Sequence, residues 1–329
     1  MPELHEQPVL LETRNLSRVF RGKRSLFRFH VPSVHAVNHV SLHLREHEVL
    51  GLVGESGCGK STLGRTILRL IEPSSGEIFF KGQNILNCNP EEMRQLRQKM
   101  QIIFQDVYSS LNPRMTVEEI VRAPLDVFHL GTPAEKKAKV LQILEEVGLG
   151  EQHLHRFPHE FSGGQRQRIG FARALIVQPE LVICDEPVSA LDVSVRAQVL
   201  NLMKRLQIEK GLSYLFISHD LSVVKHISNR IAVMYLGNIV ELAESEELYQ
   251  NPLHPYTQAL LSAIPVPDPE NRRQRILLEG DLPSPYAIPQ GCPFHTRCPY
   301  AQERCLKEKP ELKALSSNAE HSLACFLHA

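Results

Sequence analysis

Residues 54–62 read GESGCGKST, a glycine-rich run closed by a lysine and two hydroxyl residues. That spacing suits phosphate. Gly54, Gly57 and Gly59 let the backbone turn tightly enough for several N–H groups to face one anion, and Lys60 is placed to neutralise β- and γ-phosphates. Ser61 is expected to ligate Mg²⁺ and Thr62 to add a phosphate hydrogen bond. Glu55, Ser56 and Cys58 fill the variable slots, Cys58 as a small filler rather than a nucleophile. A second anion corner lies far downstream, in FSGGQRQRIGFARAL at residues 161–175. Ser162, Gly163 and Gly164 stand where an amphipathic helix should begin, and free N–H groups together with the helix dipole favour an anion there. One nucleotide site does not need two such corners. The second is expected to cap the phosphate of a nucleotide held by another chain.

The run LVICDEP puts Asp185 and Glu186 just past an apolar strand, at the edge where doubly wound sheets bind ligands. Asp185 is expected to hold Mg²⁺ through water and Glu186 to orient and polarise the attacking water. Phosphoryl transfer to water needs charge neutralisation and in-line positioning more than covalent help. SYLFISHD ends another apolar strand, so His219 is expected in the same crevice, donating to the γ-phosphate or linking it to Glu186. Gln105, after the apolar IIF, is expected to reach the metal or the lytic water and to report nucleotide state to the loop that follows.

Such groups need a parallel sheet to hold them. Strands are expected at 48–53, 76–82, 100–104, 181–184 and 213–217, with a helix at 60–71 after the glycine loop. A helix over 193–210 joins two of these strands as a βαβ unit. Residues 116–178 read as mostly helical, which suggests an inserted subdomain spanning about 106–178. A hairpin is expected from 230–235 and 239–243 around Leu236 and Gly237. Beyond Asn251 prolines crowd together and helical periodicity fades, so a boundary is placed near residue 250.

The chain has 329 residues, enough for a doubly wound α/β core with a smaller appendage. Lys+Arg and Asp+Glu are both 37, a balance that argues against a dedicated nucleic-acid binder. No apolar run approaches the ~18–20 residues that span a bilayer. The first residues, MPELHEQPVLLETRNL, lack the basic-then-apolar order of a secretory signal. A cytosolic chain is expected, with any membrane association made through partners. Of seven cysteines, Cys58, Cys88 and Cys184 are scattered, while Cys292, Cys298, Cys305 and Cys325 cluster. In a reducing compartment such a cluster points to metal more than to disulfides. Its spacings of five, six and nineteen intervening residues are unlike zinc-ribbon clips. Proline follows Cys292 and Cys298, similar to the Cys-Pro element of some iron–sulfur runs. From spacing alone, bound metal and unliganded thiols both stay open.

The order GESGCGKST, Gln105, FSGGQ, LVICDEP, SALD (189–192) and His219 resembles the ATP-binding cassette of ABC transporters, over roughly residues 10–250. The resemblance implies an α/β fold: a RecA-like mixed sheet, a helical signature subdomain and, over 251–329, a small irregular cysteine-containing extension. It makes Gln105 the coupling glutamine and a Mg²⁺ ligand, Glu186 the catalytic glutamate and His219 the switch histidine. Ser162, Gly163, Gly164 and Gln165 become the signature that contacts the partner's ATP, with Phe161 where leucine is usual. Asp192 belongs to the dimer-spanning aspartate loop. An aromatic that stacks on adenine is implied before the glycine loop; Phe20 is the candidate and Phe27 the alternative.

FQDVYSSLNPRMTV after Gln105, and NPLHPYTQALLSAIP at 251–265, resemble the ATPase subunits of dipeptide/oligopeptide importers. GCGKSTLGR and EPVSALDVSVRAQVLNLM are similar to the DppF/OppF type. This implies an enzyme that hydrolyses ATP with Mg²⁺ to drive peptide import, peripheral on the cytoplasmic face of a bacterial inner membrane. Its partners would be two permeases (touched around residues 108–117), a second related ATPase or a second copy, and an extracytoplasmic substrate-binding protein. No nucleic acid is expected. Some relatives carry a [4Fe–4S] site, which would fall on Cys292, Cys298, Cys305 and Cys325, with His295 and His321 as spectators. Cargo is not readable, because such ATPases do not touch it. The alternatives are the same ATPase serving a nickel chelate or glutathione, a soluble ABC ATPase acting on nucleic acid or ribosomes, and a module that binds ATP without turnover.

Overall fold

The computed structural model describes residues 7–22, 33–264, 275–278, 280, 283–284, 286–316 and 318–328. The chain divides into two compact units, each assembled from separated stretches. One comprises residues 1–10, 44–48 and 84–217, the other 11–43, 49–83 and 218–329.

The first unit is built on three parallel strands, Met100–Ile103, Leu181–Asp185 and Ser213–Ile217. The Leu181–Asp185 strand lies in the middle, with Met100 and Ser213 both in register with Leu181. Every residue of the second and third strands is buried, as expected of parallel strands covered on both faces. The 18-residue helix Val193–Lys210 connects them, capped by Asp192 and ended by Gly211 at φ 62°. The helical insert is also present. Helices Val117–Val127, Pro133–Glu146 and Gly163–Leu175 pack on one another. All three start from capping boxes: Thr116 with Glu119, Thr132 with Glu135, Ser162 with Gln165.

In the second unit the strand Val49–Val53 runs parallel to Arg230–Tyr235, which turns back antiparallel into Asn238–Glu244. The turn is the expected one: Leu236 and Gly237 sit at φ 42° and 79°, as a two-residue hairpin requires. Near its end the chain adds two short strands, Ser322–Leu323 and Lys313–Ala314, to the free edge of Asn238–Glu244. A separate four-stranded sheet orders Ser33–Arg45, Val9–Arg21, Ser75–Phe80 and Gln83–Asn84. The strands Val9–Arg21 and Ser33–Arg45 were not expected, because charged and polar residues interrupt their alternation. The helix after the glycine loop is shorter than expected. It ends at Ile67, where Leu68 caps it and Arg69 turns left-handed at φ 49°.

Among the described residues no helix is long and apolar enough to cross a membrane.

Candidate nucleotide site

The glycine loop lies between the end of strand Val49–Val53 and the start of helix Lys60–Ile67. Gly59 caps that helix at φ 109°, and a Cβ there would sit 2.0 Å from the carbonyl oxygen of Ala36. Only glycine fits so close a backbone approach. Gly54 and Gly57 are also left-handed, and a Cβ on Gly57 would meet nothing within 4 Å, so the loop is open at Gly57. Lys60 is buried, its Nζ donating to the carbonyls of Gly54 at 2.7 Å and Glu55 at 3.0 Å. Its ammonium is thus held by the loop's own oxygens, where a phosphate would compete for it. Burial pushes the Cys58 thiol up in pKa, opposed by Lys60, so the residue is a buried thiol and not an activated nucleophile. Ser61 and Thr62 are half-buried on the first helical turn. Ser56 and Gly57 are exposed.

Two residues that sequence reasoning missed close on this loop. The Tyr256 hydroxyl accepts from the N–H of Glu55 at 2.9 Å, and Arg297 makes two bonds to the Glu55 carboxylate, at 2.8 and 3.2 Å. Neither has a local signal beyond Tyr256 lying in the NPLHPYTQALLSAIP stretch. Ser218 ends its segment with its N–H donating to Leu52 O at 3.1 Å, and the exposed His219 follows. Phe20 is half-buried with the Arg18 guanidinium 4.5 Å over its ring. Phe27 lies outside the described residues.

In the other unit Asp185 ends the strand Leu181–Asp185 and Glu186 follows it, while Gln105 lies just past the neighbouring strand Met100–Ile103. Asp185 is buried. Gln105 Nε2 donates to Glu186 Oε2 at 2.9 Å. Glu186 itself is left-handed at φ 49°, its N–H donating to Ile217 O at 3.0 Å and its C=O accepting from Ser189 Oγ at 3.1 Å. Exposed Ser162 caps the helix Gly163–Leu175, accepting from Gln165 N–H at 3.4 Å, while Gln165 Oε1 accepts from Ser162 N–H at 3.1 Å. Gly164 is buried against Val195, which a Cβ would approach to 2.2 Å. Phe161 is also buried, with His153 and Arg156 against its ring. Asp192 is exposed at the start of its helix, accepting from Val195 N–H at 2.9 Å. The loop after Gln105 is tied to the Gly163–Leu175 helix: Arg166 stacks over Tyr108 at 4.9 Å and Arg173 donates to Ser110 O. Tyr108 is nevertheless 65 % exposed.

The four C-terminal cysteines share one neighbourhood. All are free thiols, and Cys292 N–H donates to Cys305 O at 2.8 Å. Burial pushes Cys292 up to about 11, with the other three thiols adding to the rise. Burial also raises Cys298 and Cys325. Among the described residues no three His, Cys, Asp or Glu side chains are placed to hold a metal ion. The expected [4Fe–4S] ligand set of Cys292, Cys298, Cys305 and Cys325 finds no support in this arrangement.

Similarity to known proteins accounts for nearly the whole chain. The ABC transporter family model matches residues 37–189, and that of the oligopeptide/dipeptide transporter C-terminal region matches 240–305. The oligopeptide transport ATP-binding protein AppF of Bacillus subtilis is 53 % identical over 326 residues, covering 98 % of both chains. The oligopeptide transport ATP-binding protein OppF of Escherichia coli is 51 % identical over 322 residues, 96 % of both. Among solved structures, the ATP-binding cassette MJ0796, a dimer bound to ADP and Pi, superposes with a TM-score of 0.64 at 27 % identity. The match covers 72 % of this chain and 99 % of that one. This protein belongs to the ABC ATPases, in the family of oligopeptide transport ATP-binding proteins.

Proposed function

We propose that this chain is the ATP-hydrolysing subunit of a peptide importer, working from the cytoplasmic face of the membrane that holds its permeases. The observation that carries the catalytic part is the Gln105–Glu186 hydrogen bond at the ends of adjacent strands. The peptide part rests on relatives alike over their whole length. Residues 1–250 serve as the cassette and 251–329 as its extension.

In this reading Lys60 exchanges the carbonyls of Gly54 and Glu55 for β- and γ-phosphate oxygens, while the N–H groups of residues 54–62 surround them. A bound Mg²⁺ would neutralise phosphate charge, and Ser61, Gln105 and Asp185 are the residues that would hold it. Glu186 orients a water for in-line attack on the γ-phosphorus and accepts its proton as the bond to ADP breaks. His219 donates to the γ-phosphate oxygens, and Phe20 stacks on adenine. Ser162, Gly163, Gly164, Gln165 and Asp192 serve the nucleotide of a second cassette, a related subunit or a second copy. Closure of the pair acts on the permeases because ATP binds the closed state more tightly. Tyr108 and the loop to residue 117 form the surface offered to the permeases, and a substrate-binding protein outside the membrane delivers the peptide. The expected iron–sulfur group has no part in this reading; iron and sulfide analysis of anaerobically purified protein checks that.

The test is Glu186→Gln in the assembled transporter. We expect kcat for ATP hydrolysis to fall by about 10²–10³-fold with ATP binding retained. Uptake of labelled peptide into vesicles should fall in parallel. Hydrolysis close to wild type would remove Glu186 from its role, and ATP-driven uptake confined to a non-peptide cargo would remove the peptide assignment.

A further inference from the structure

We propose that Arg297 and Tyr256 are positioning residues for the glycine loop: they grip Glu55 from the C-terminal extension, so that nucleotide affinity depends on how that extension is docked. The inference rests on residues 54–62 being the nucleotide-binding loop.

Glu55 is held at each of its polar groups. Its N–H donates to the Tyr256 hydroxyl at 2.9 Å. Its carbonyl accepts from Lys60 Nζ at 3.0 Å and from Cys58 N–H at 3.3 Å. Its carboxylate takes two bonds from Arg297, whose side chain is only 9 % exposed. A two-pronged guanidinium–carboxylate pair fixes orientation as well as distance, and screening weakens it little when the arginine is this covered. A phosphate that draws Lys60 away removes one of the two donors to the Glu55 carbonyl. Tyr256 and Arg297 then become the main restraints on the residue next to Gly54.

Both arms are themselves fixed. Tyr256 is on the first turn of helix Pro255–Ser262, whose cap is His254; the Tyr256 N–H donates to His254 Nδ1 at 3.1 Å. Burial raises the Tyr256 hydroxyl pKa far above the usual range, so it stays a phenol. Arg297 ends a short helical turn that follows Phe294. The Phe294 ring packs edge-on against Tyr235 at 5.2 Å and tilted against Tyr256 at 5.5 Å and His254 at 5.5 Å. One buried aromatic cluster therefore anchors both contacts. A loop arranged before the ligand arrives binds it more tightly than one that must be ordered on binding.

The experiment uses the full-length chain assembled with its permeases, measuring KM for ATP and kcat, with thermal stability alongside. Arg297→Ala should raise KM about 10-fold while kcat at saturating ATP stays within about 2-fold. Arg297→Lys should recover only part of this, because an ammonium cannot make two parallel bonds. Glu55→Ala, a change in the loop itself, should raise KM at least as much as Arg297→Ala, and the double variant no more than Glu55→Ala alone. Tyr256→Phe should raise KM by a smaller factor, about 3-fold. Unchanged KM in these variants, with or without a lowered melting temperature, would make the contacts mere fold-stabilising links and overturn the proposal. If Arg297→Ala does not fold, Arg297→Lys and Tyr256→Phe decide. Lys60→Ala separates the two readings. Activity surviving that change would defeat the nucleotide assignment itself, whereas its loss beside an unchanged KM at Arg297 would defeat this inference alone.

Discussion

A left-handed backbone at Glu186 costs a residue with a Cβ about 1–2 kcal/mol, and the structure holds it there through bonds to Ile217 and Ser189. In this conformation the carboxylate accepts from Gln105 Nε2 at 2.9 Å. His254 carries another residue-scale consequence. Burial depresses its pKa from 6.5 to about 4, with His328 adding to the effect and the nearby Glu241 opposing it. The folded chain thus keeps the imidazole neutral where the unfolded chain protonates it. Stability is full above about pH 6.5 and is lost as pH falls toward about 4, by on the order of 3 kcal/mol. Replacing His254 by Asn keeps a cap acceptor but removes the titration. Melting temperatures recorded between pH 7 and pH 4.5 should fall less steeply for the variant; equal slopes would show that His254 does not govern the acid limb.

At the scale of elements, the sequence announced one capped helix start, at Ser162 before Gly163–Leu175. T-x-x-E twice and S-x-x-Q once precede apolar periodicity, and each forms a reciprocal cap because both side chains reach the other's backbone N–H. The glycine loop was equally plain, but its constraint comes from outside the motif. Gly59 is pinned by the carbonyl of Ala36, on a strand that the sequence did not announce. Gly59→Ala must shift that backbone and adopt a left-handed φ, so it should destabilise the chain by roughly 2–4 kcal/mol and abolish saturable ATP binding. Denaturant titration together with nucleotide binding checks it. A variant of normal stability and affinity would show that the loop has slack it is not credited with here.

For the whole molecule, one buried acid ties two parts of the C-terminal extension to strand Asn238–Glu244. Glu241, with no exposed surface, accepts from the N–H of Leu253 at 2.8 Å and of His254 at 3.1 Å, and its Oε1 lies 2.9 Å from His321 Nε2. Three groups from two separate stretches thus converge on a single carboxylate, and removing it leaves buried donors unpaired. Glu241→Ala should cost about 3–5 kcal/mol and expose the segment beyond residue 250 to proteolysis before the rest of the chain. Digestion that begins elsewhere, with an unchanged melting temperature, would remove Glu241 from this role.

The sequence by itself determined the family and most of the parallel core, and named the residues proposed for the chemistry. Phosphate loops and strand-end acids are local devices whose residues lie within a few positions of one another, so spacing alone reveals them. It did not show the strands Val9–Arg21 and Ser33–Arg45, whose polar interruptions blur a two-residue period. Nor did it show that Tyr256 and Arg297 would meet Glu55 across more than two hundred residues of chain. It suggested a metal cluster at the four C-terminal cysteines, and no group placed to hold a metal is found among the described residues. Only the tertiary structure decided these points, because they depend on which distant side chains burial brings together, and no local pattern records that.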